Sequence, residues 1–305
     1  MVGLSIDLPQ GFLDPEVRCD YAVSSQIKEV WAVELDLLHQ LDMVCKAHHL
    51  TYFAGAGTLL GAVRHKGSIP WDDDIDLYML RPDYDKLIKL ASEFKEPYFL
   101  HTAYADWTCI ARSFMRLKNT HTSFVTEWDV QHGVKKGMGV FIDIFPLDGI
   151  SEDLHKNRIQ KAMCQYYRVL FCVPQAFNPH WGIRKKVHEI IKRMSYHASG
   201  WFRLHSFRKY EAQLKKYSVE GTKMWGNRTI VFDCPKSRRP IEDWKDIIEV
   251  PFEFMTIPIP RNYDAILRQQ YGDYMVFPKD KGSGKLHQAI EISTDRASDL
   301  VGVGK

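Results

Sequence analysis

The stretch GAGTLLGAVRHKGSIPWDDDID, from Gly55 to Asp76, decides the predicted fold. It begins within a strand-like segment at residues 51–56 and continues into a short predicted helix. Residues 74–79 alternate polar and apolar side chains, which is typical of a strand with one buried face. Because side chains two residues apart on a strand point to the same face, Asp74 and Asp76 are predicted to lie side by side.

The same stretch contains groups that suit both a metal ion and a phosphate. Glycine lets the backbone approach a phosphate closely, and the N–H groups at a helix start favour anions, so Gly57 and Thr58 are predicted phosphate-binding residues. Mg²⁺, or Mn²⁺ in its place, prefers carboxylate and phosphate oxygens. Asp74 and Asp76 are therefore predicted metal ligands and catalytic residues. Solvated Asp-x-Asp pairs are common, so the spacing alone leaves a structural role open.

A third acid of this predicted site is Asp143, on a strand predicted at residues 139–145. Ile142 and Ile144 flank it, and a carboxylate in an apolar strand is costly to bury unless it meets a cation or hydrogen-bond donors. The residues Pro146-Leu-Asp-Gly149 that follow are predicted to form a turn.

Two further side chains of the first stretch are candidates for the site. Arg64 is a candidate phosphate clamp, since a guanidinium can bind two oxygens at once. His65 is a weaker candidate beside it. A structural role is left open for both.

Composition excludes several classes of protein. The 305 residues are 45% hydrophobic, and the net charge of +3 is too small to predict nucleic-acid binding. None of the six cysteines forms a C-x-x-C pair, and no run resembles an export signal or a membrane span. We expect a cytoplasmic protein with free thiols.

The order of patterns predicts an α+β protein with a soft boundary near residue 150. Residues 24–50 have the apolar spacing of a long amphipathic helix, and the strands described above follow it. Residues 20–150 are the predicted catalytic core. Residues 151–292 are predicted to be mainly helical, to complete the site and to face the acceptor or a membrane.

The basic, aromatic stretch from Trp181 to Tyr217 leaves two interpretations open. It could lie on an anionic membrane surface, which would place the protein at the inner face of the plasma membrane. Alternatively, it is a solvated helical hairpin whose aromatic residues pack on the core.

Three motifs resemble those of the LicD family. Residues 57–76 resemble its first motif, and Phe141-Ile-Asp-Ile-Phe-Pro-Leu-Asp-Gly149 its second. Tyr271-Gly-Asp-Tyr-Met275, with Pro278 and His287 after it, is similar to the third, although residues 279–287 are glycine-rich and depart from the pattern. The similarity extends from about residue 20 to residue 290.

The resemblance implies a nucleotidyltransferase-like (polymerase-beta-like) mixed-sheet core with a helical C-terminal region. It implies transfer of a phospho-alcohol group, such as phosphocholine from CDP-choline, to a hydroxyl of a cell-surface glycan or its lipid-linked precursor. It adds Asp72 as a candidate metal ligand, Arg116 as a candidate phosphate-binding residue and His287 as a further candidate. Transfer of a nucleoside monophosphate to a small molecule, and an inactive glycan- or lipid-binding adaptor, are the alternatives.

Overall fold

The computed structural model describes most of the chain, in the ranges 1–106, 110, 112–131, 134, 138–174, 180–197, 199–229, 238–278 and 289–298. The helices there are α1 Ser25–Ala47, α2 Ala56–Arg64, α3 Arg81–Lys89, α4 Glu127–Gln131, α5 Leu154–Phe171, α6 Ile183–Tyr196, α7 Gly200–Leu214, α8 Glu242–Lys245 and α9 Tyr263–Tyr271, with a 3₁₀ turn at Ala91–Glu93. The strands are β1 Glu16–Arg18, β2 Tyr21–Val23, β3 Tyr52–Ala54, β4 Asp76–Leu80, β5 Tyr98–His101, β6 Met115–Asn119, β7 Ser123–Thr126, β8 Phe141–Ile150, β9 Met224–Gly226, β10 Arg238–Pro240, β11 Ile247–Phe252, β12 Met255–Pro260 and β13 Ala289–Ser293.

Strand β8 is the centre of a seven-stranded mixed sheet. One edge of β8 pairs with β4 in parallel, and β4 pairs in turn with β3 in the antiparallel direction. The other edge pairs with β6 at the start of the strand and with β9 at its end, both antiparallel. The prediction of a mixed sheet combined with helices is confirmed.

Helix α1 forms where the apolar spacing predicts it. Ser24 is its N-cap, and the serine hydroxyl accepts a hydrogen bond from the backbone N–H of Ile27. The helix packs against β6 and β8, and thirteen of its side chains are buried.

The turn predicted at residues 146–149 is wrong, because those residues continue β8. All ten residues of this strand are buried, so its apolar pattern outweighs the turn preference of Pro146 and Gly149. Gly149 is needed there for a different reason. A Cβ on it would come within 2.6 Å of the carbonyl oxygen of Tyr217 and 2.7 Å of that of Ser218. The chain after α7 passes too close for a side chain.

Residues after the predicted boundary at 150 form two kinds of structure. Helices α5, α6 and α7 lie together, and a small apolar cluster with Phe171, Phe207 and Tyr210 joins α5 to α7. The chain then returns to the seven-stranded sheet, where β9 pairs with β8, and β13 later pairs with β7 in a separate two-stranded sheet. Within the described ranges, no helix has the length and apolar character needed to cross a bilayer.

A buried ion pair connects the sheet to α3 and α7. Arg81 donates from Nε and Nη2 to the two carboxylate oxygens of Asp148, at 2.6 and 2.8 Å, and its Nη1 lies 3.6 Å from Glu211 of α7. Asp148 is 1% exposed. A carboxylate this deeply buried requires its partner to remain charged.

We expect Arg81→Met to lower the free energy of unfolding by about 3–5 kcal/mol, because it leaves Asp148 buried and unpaired. Arg261→Met is the control, since Arg261 also binds an aspartate through Nε, but both side chains are more than 60% exposed. Its effect should be much smaller. Urea unfolding of both variants tests this, and equal losses would contradict the assignment.

Candidate active site

The register of β4 and β8 brings two of the predicted catalytic acids together. Asp76 is the direct partner of Asp143 across the parallel pair, and the backbone N–H of Asp143 donates to the carbonyl of Ile75 at 2.8 Å. Side chains paired across neighbouring strands project from the same face of the sheet. The two carboxylates are therefore neighbours on one face, from two strands far apart in sequence.

The turn before α2 fixes Asp76 at the start of β4. The hydroxyl of Thr58 accepts a hydrogen bond from the N–H of Asp76 at 2.7 Å, and the N–H of Gly55 donates to the carbonyl of Asp76 at 2.9 Å. Gly55 must be glycine, because a Cβ there would lie 2.7 Å from the ring of Tyr78. Thr58, predicted to bind phosphate, thus positions one of the predicted catalytic acids, and phosphate binding by its O–H group stays a prediction.

Gly57 and Asp72 meet at the first turn of α2. A Cβ on Gly57 would come within 2.7 Å of Oδ2 of Asp72, so the carboxylate lies against the helix start. Trp31 of α1 holds the backbone of this loop, since its Nε1 donates to the carbonyl of Asp72 at 3.0 Å. The helix start predicted to favour phosphate therefore has a candidate metal ligand directly beside it.

Electrostatic repulsion among these acids is visible in the pKa of Asp76. Burial first, and then the charges of Asp74, Asp143 and Asp72, raise the pKa of Asp76 well above its usual value, against a smaller lowering by Arg116. All four predicted acids therefore lie within electrostatic reach of one another. An arrangement of this kind is stabilised by a cation.

Sequence reasoning missed a fifth acid, Glu34 of α1. It is 2% exposed, and its pKa is raised well above normal by burial and by Asp73, Asp74 and the other site acids. A signal was available in the sequence. Glu34 occupies a position on the apolar face of α1, between Trp31 and Leu38, where an acid is costly unless it serves a site.

Arg116 lies directly across the sheet from Asp143, as the partner of that residue in β6. Its Nε and Nη2 donate to the two oxygens of Asp143 at 2.5 and 3.1 Å, while its guanidinium covers the ring of Phe141. Its Nη1 is buried without a hydrogen-bond partner among the described residues. One donor of this predicted phosphate-binding residue is thus available to an anion.

Arg112 adds a second guanidinium that sequence reasoning missed. It donates to Asp129 at 2.8 Å and stacks over Trp128, and its Nη1 is also buried without a partner in the described ranges. Burial, and next the charge of Arg116, lower its pKa. Two close guanidinium groups with unused buried donors favour a bound anion.

Arg64 and His65 lie at the aromatic border of the site. Arg64 donates to His65 Nε2 at 2.9 Å and to the carbonyl of Tyr274 at 2.8 Å, and it lies over the ring of Phe277. Burial, Arg64 and Arg18 lower the pKa of His65 to about 4, so it is neutral at pH 7.

Tyr271, from the third motif, connects this border to the acids. Burial and the charges of Asp76, Asp72 and Asp74 raise the pKa of its phenol to about 12, and Arg64 lowers it. The third motif therefore reaches the site through Tyr271. His287 lies outside the described residues.

The acids suit a divalent cation in their donor chemistry. Clustered carboxylate oxygens are the ligands that Mg²⁺ prefers. In the part of the chain that is described, no three His, Cys, Asp or Glu side chains already have metal-ligand geometry. Both oxygens of Asp143 bind Arg116 instead, so the carboxylates would have to converge on an ion.

Comparison with known proteins agrees with this geometry. Residues 49–180, which include both acid strands, match the LicD/FKTN/FKRP nucleotidyltransferase domain. This match is to the nucleotidyltransferase domain of the LicD family and covers 132 of the 305 residues. The chain is 28% identical to the lipopolysaccharide cholinephosphotransferase LicD of Haemophilus influenzae over an alignment of 266 residues. The alignment covers 86% of this chain and 96% of that protein.

Shorter matches fall on proteins of the genus Rickettsia. An uncharacterized protein of Rickettsia typhi is 35% identical over 72 residues, which is 23% of each chain. One of Rickettsia prowazekii is 41% identical over 49 residues, covering 16% of this chain and 18% of that protein. The similarity to LicD over most of both chains indicates a transferase.

We expect Gly57→Ala to unfold at nearly the temperature of the unsubstituted protein, because the atom that the new Cβ would meet is the end of the Asp72 side chain, which can rotate. Gly61→Ala in the same helix is the matched control. Its Cβ would meet the backbone oxygen of Gly67 at 2.5 Å, which should cost about 1–3 kcal/mol. Thermal denaturation tests both, and equal destabilisation would show that Asp72 is held rigidly.

Proposed function

We propose that the protein transfers a phospho-alcohol group, most simply phosphocholine from CDP-choline, to a hydroxyl of a cell-surface glycan or its lipid-linked precursor, on a polymerase-beta-like nucleotidyltransferase core. The observation that supports this is the pairing of Asp76 with Asp143 on one sheet face, beside the glycine turn at the start of α2. The name of the Haemophilus influenzae relative supplies choline and lipopolysaccharide as the first donor group and acceptor to test.

Asp74, Asp76 and Asp143, with Asp72, would hold Mg²⁺, or Mn²⁺ in its place. The ion would neutralise the diphosphate of the donor. The backbone at Gly57 and Thr58 would approach the same diphosphate from the helix start. Arg116 and Arg112 would bind phosphate oxygens through the Nη1 groups that have no partner among the described residues.

The reaction is an in-line displacement at phosphorus. The acceptor oxygen forms a new bond to the phosphorus that bears choline, and the bond from that phosphorus to the bridging oxygen breaks, which releases CMP. Asp143 would either accept the proton of the acceptor hydroxyl or hold a second metal ion, with the proton then passing to solvent. Positioning and charge neutralisation supply most of the acceleration.

We expect Asp76→Asn to reduce CMP release by about 100-fold or more, while the unfolding temperature stays level or rises. The unchanged or higher unfolding temperature is expected because the raised pKa of Asp76 shows that its negative charge is unfavourable in the folded protein. Removing its charge relieves repulsion from the neighbouring acids. Asp143→Asn should be equally inactive but less stable, because Arg116 loses a charged partner.

Asp7→Asn is the control for these variants, since Asp7 is exposed and lies outside the site. It should keep both activity and stability. Near-normal CMP release by Asp76→Asn would reject the site assignment.

Two labelled forms of CDP-choline separate the proposed reaction from nucleotide transfer. With Mg²⁺ and lipopolysaccharide lacking phosphocholine, label in the choline methyl groups should appear in the acceptor, and label in cytidine should appear in CMP. Cytidine label in the acceptor would instead show nucleoside monophosphate transfer. Chelation of the divalent ion should stop both signals, and full activity in EDTA would reject the metal requirement.

A further inference from the structure

Helix α6 exposes its apolar side and buries polar residues. A surface helix of a globular protein normally buries its apolar face. In α6, the described residues that are buried are Glu189 and Ser195. Five large apolar side chains are exposed instead, between 36% and 82%: Ile183, Val187, Ile190, Ile191 and Met194.

The exposed side chains form one stripe. At about 100° per residue, positions 183, 187, 190 and 194 fall within roughly 60° of one another, and position 191 borders them. On the opposite side, Glu189 pairs with Lys192 at 2.6 Å, and both side chains are largely buried. The helix is therefore oriented by polar contacts on its inner side, which direct the apolar stripe outward.

Basic residues border the apolar stripe. Arg184, Lys186 and Arg193 lie at its two margins, and Lys185 and Lys192 complete five basic residues in fourteen, against the single acid Glu189. The next helix begins with Trp201, which is 71% exposed and stacks on His205. Tryptophan of this kind favours the boundary between lipid and water.

We propose that α6 lies in the plane of an anionic lipid surface, with its apolar stripe among the acyl chains and its basic margins at the head groups. An apolar stripe of this width between basic margins is typical of helices bound at a bilayer interface. Positive charge at both margins selects anionic lipid over a zwitterionic surface or an uncharged protein groove. Vesicle binding requires no turnover, so this inference and the proposed reaction can fail separately.

Vesicle sedimentation of the full-length protein tests this proposal. The protein should sediment with vesicles that contain phosphatidylglycerol, should leave them at high salt, and should not bind pure phosphatidylcholine. Ile190→Glu with Met194→Glu should weaken binding about tenfold or more, because two apolar contacts with lipid become charged. Both positions are exposed, so the unfolding temperature should not change.

Val17→Glu is the matched control, because Val17 is an apolar side chain, 76% exposed, in β1. It should bind vesicles like the unsubstituted protein. An equal loss of vesicle binding in the control would overturn the assignment to α6, and failure of the unsubstituted protein to bind phosphatidylglycerol vesicles would overturn the proposal.

Light scattering gives a separate check. A dimer in solution that Ile190→Glu with Met194→Glu dissociates, without vesicle binding, would assign the stripe to a second copy of this chain.

Discussion

The candidate site depends on the register between β4 and β8. Two carboxylates on neighbouring strands repel each other, and the backbone pairing of a buried central strand keeps Asp76 opposite Asp143. A shift by one residue would send either side chain to the other face. The ten buried residues of β8 and the packing of α1 therefore hold an electrostatically unfavourable arrangement in place.

The charged residues around Asp76 and Asp143 divide the site into a negative and a positive side. Arg116 neutralises Asp143, while Asp76 is surrounded by acids, and burial together with their charges raises the pKa of Asp76. The site is thus negative on the side of the DDDID loop and positive on the side of β6, where Arg112 also lies. A cation bound to a diphosphate has the complementary division of charge, and this complementarity is what supports phosphotransfer.

Helices α7 and α6, which follow β8, differ in their contacts: α7 is attached to the sheet, and α6 exposes apolar side chains. Arg81, Asp148 and Glu211 fasten α7 to the sheet through buried charge, so the attachment is polar and specific. Helix α6 packs next to α5 and presents apolar residues outward. Helix α6 therefore reaches the core through α5 and α7, and the lipid contact proposed for it needs no spanning segment.

The sequence by itself determined the local elements and the identity of the acids. Alternation predicted a strand at residues 74–79, and β4 forms there from Asp76, with Asp74 just before it. Apolar spacing predicted α1, and the isolated acid at 143 indicated a site because burial of a lone carboxylate is costly. Only the tertiary structure decided which groups meet. It continued β8 through Pro146 and Gly149, since burial on both faces outweighs turn preference. It also placed Glu34 and Arg112 near the acids and turned the apolar face of α6 outward, because contacts between distant segments leave no periodic trace in one chain.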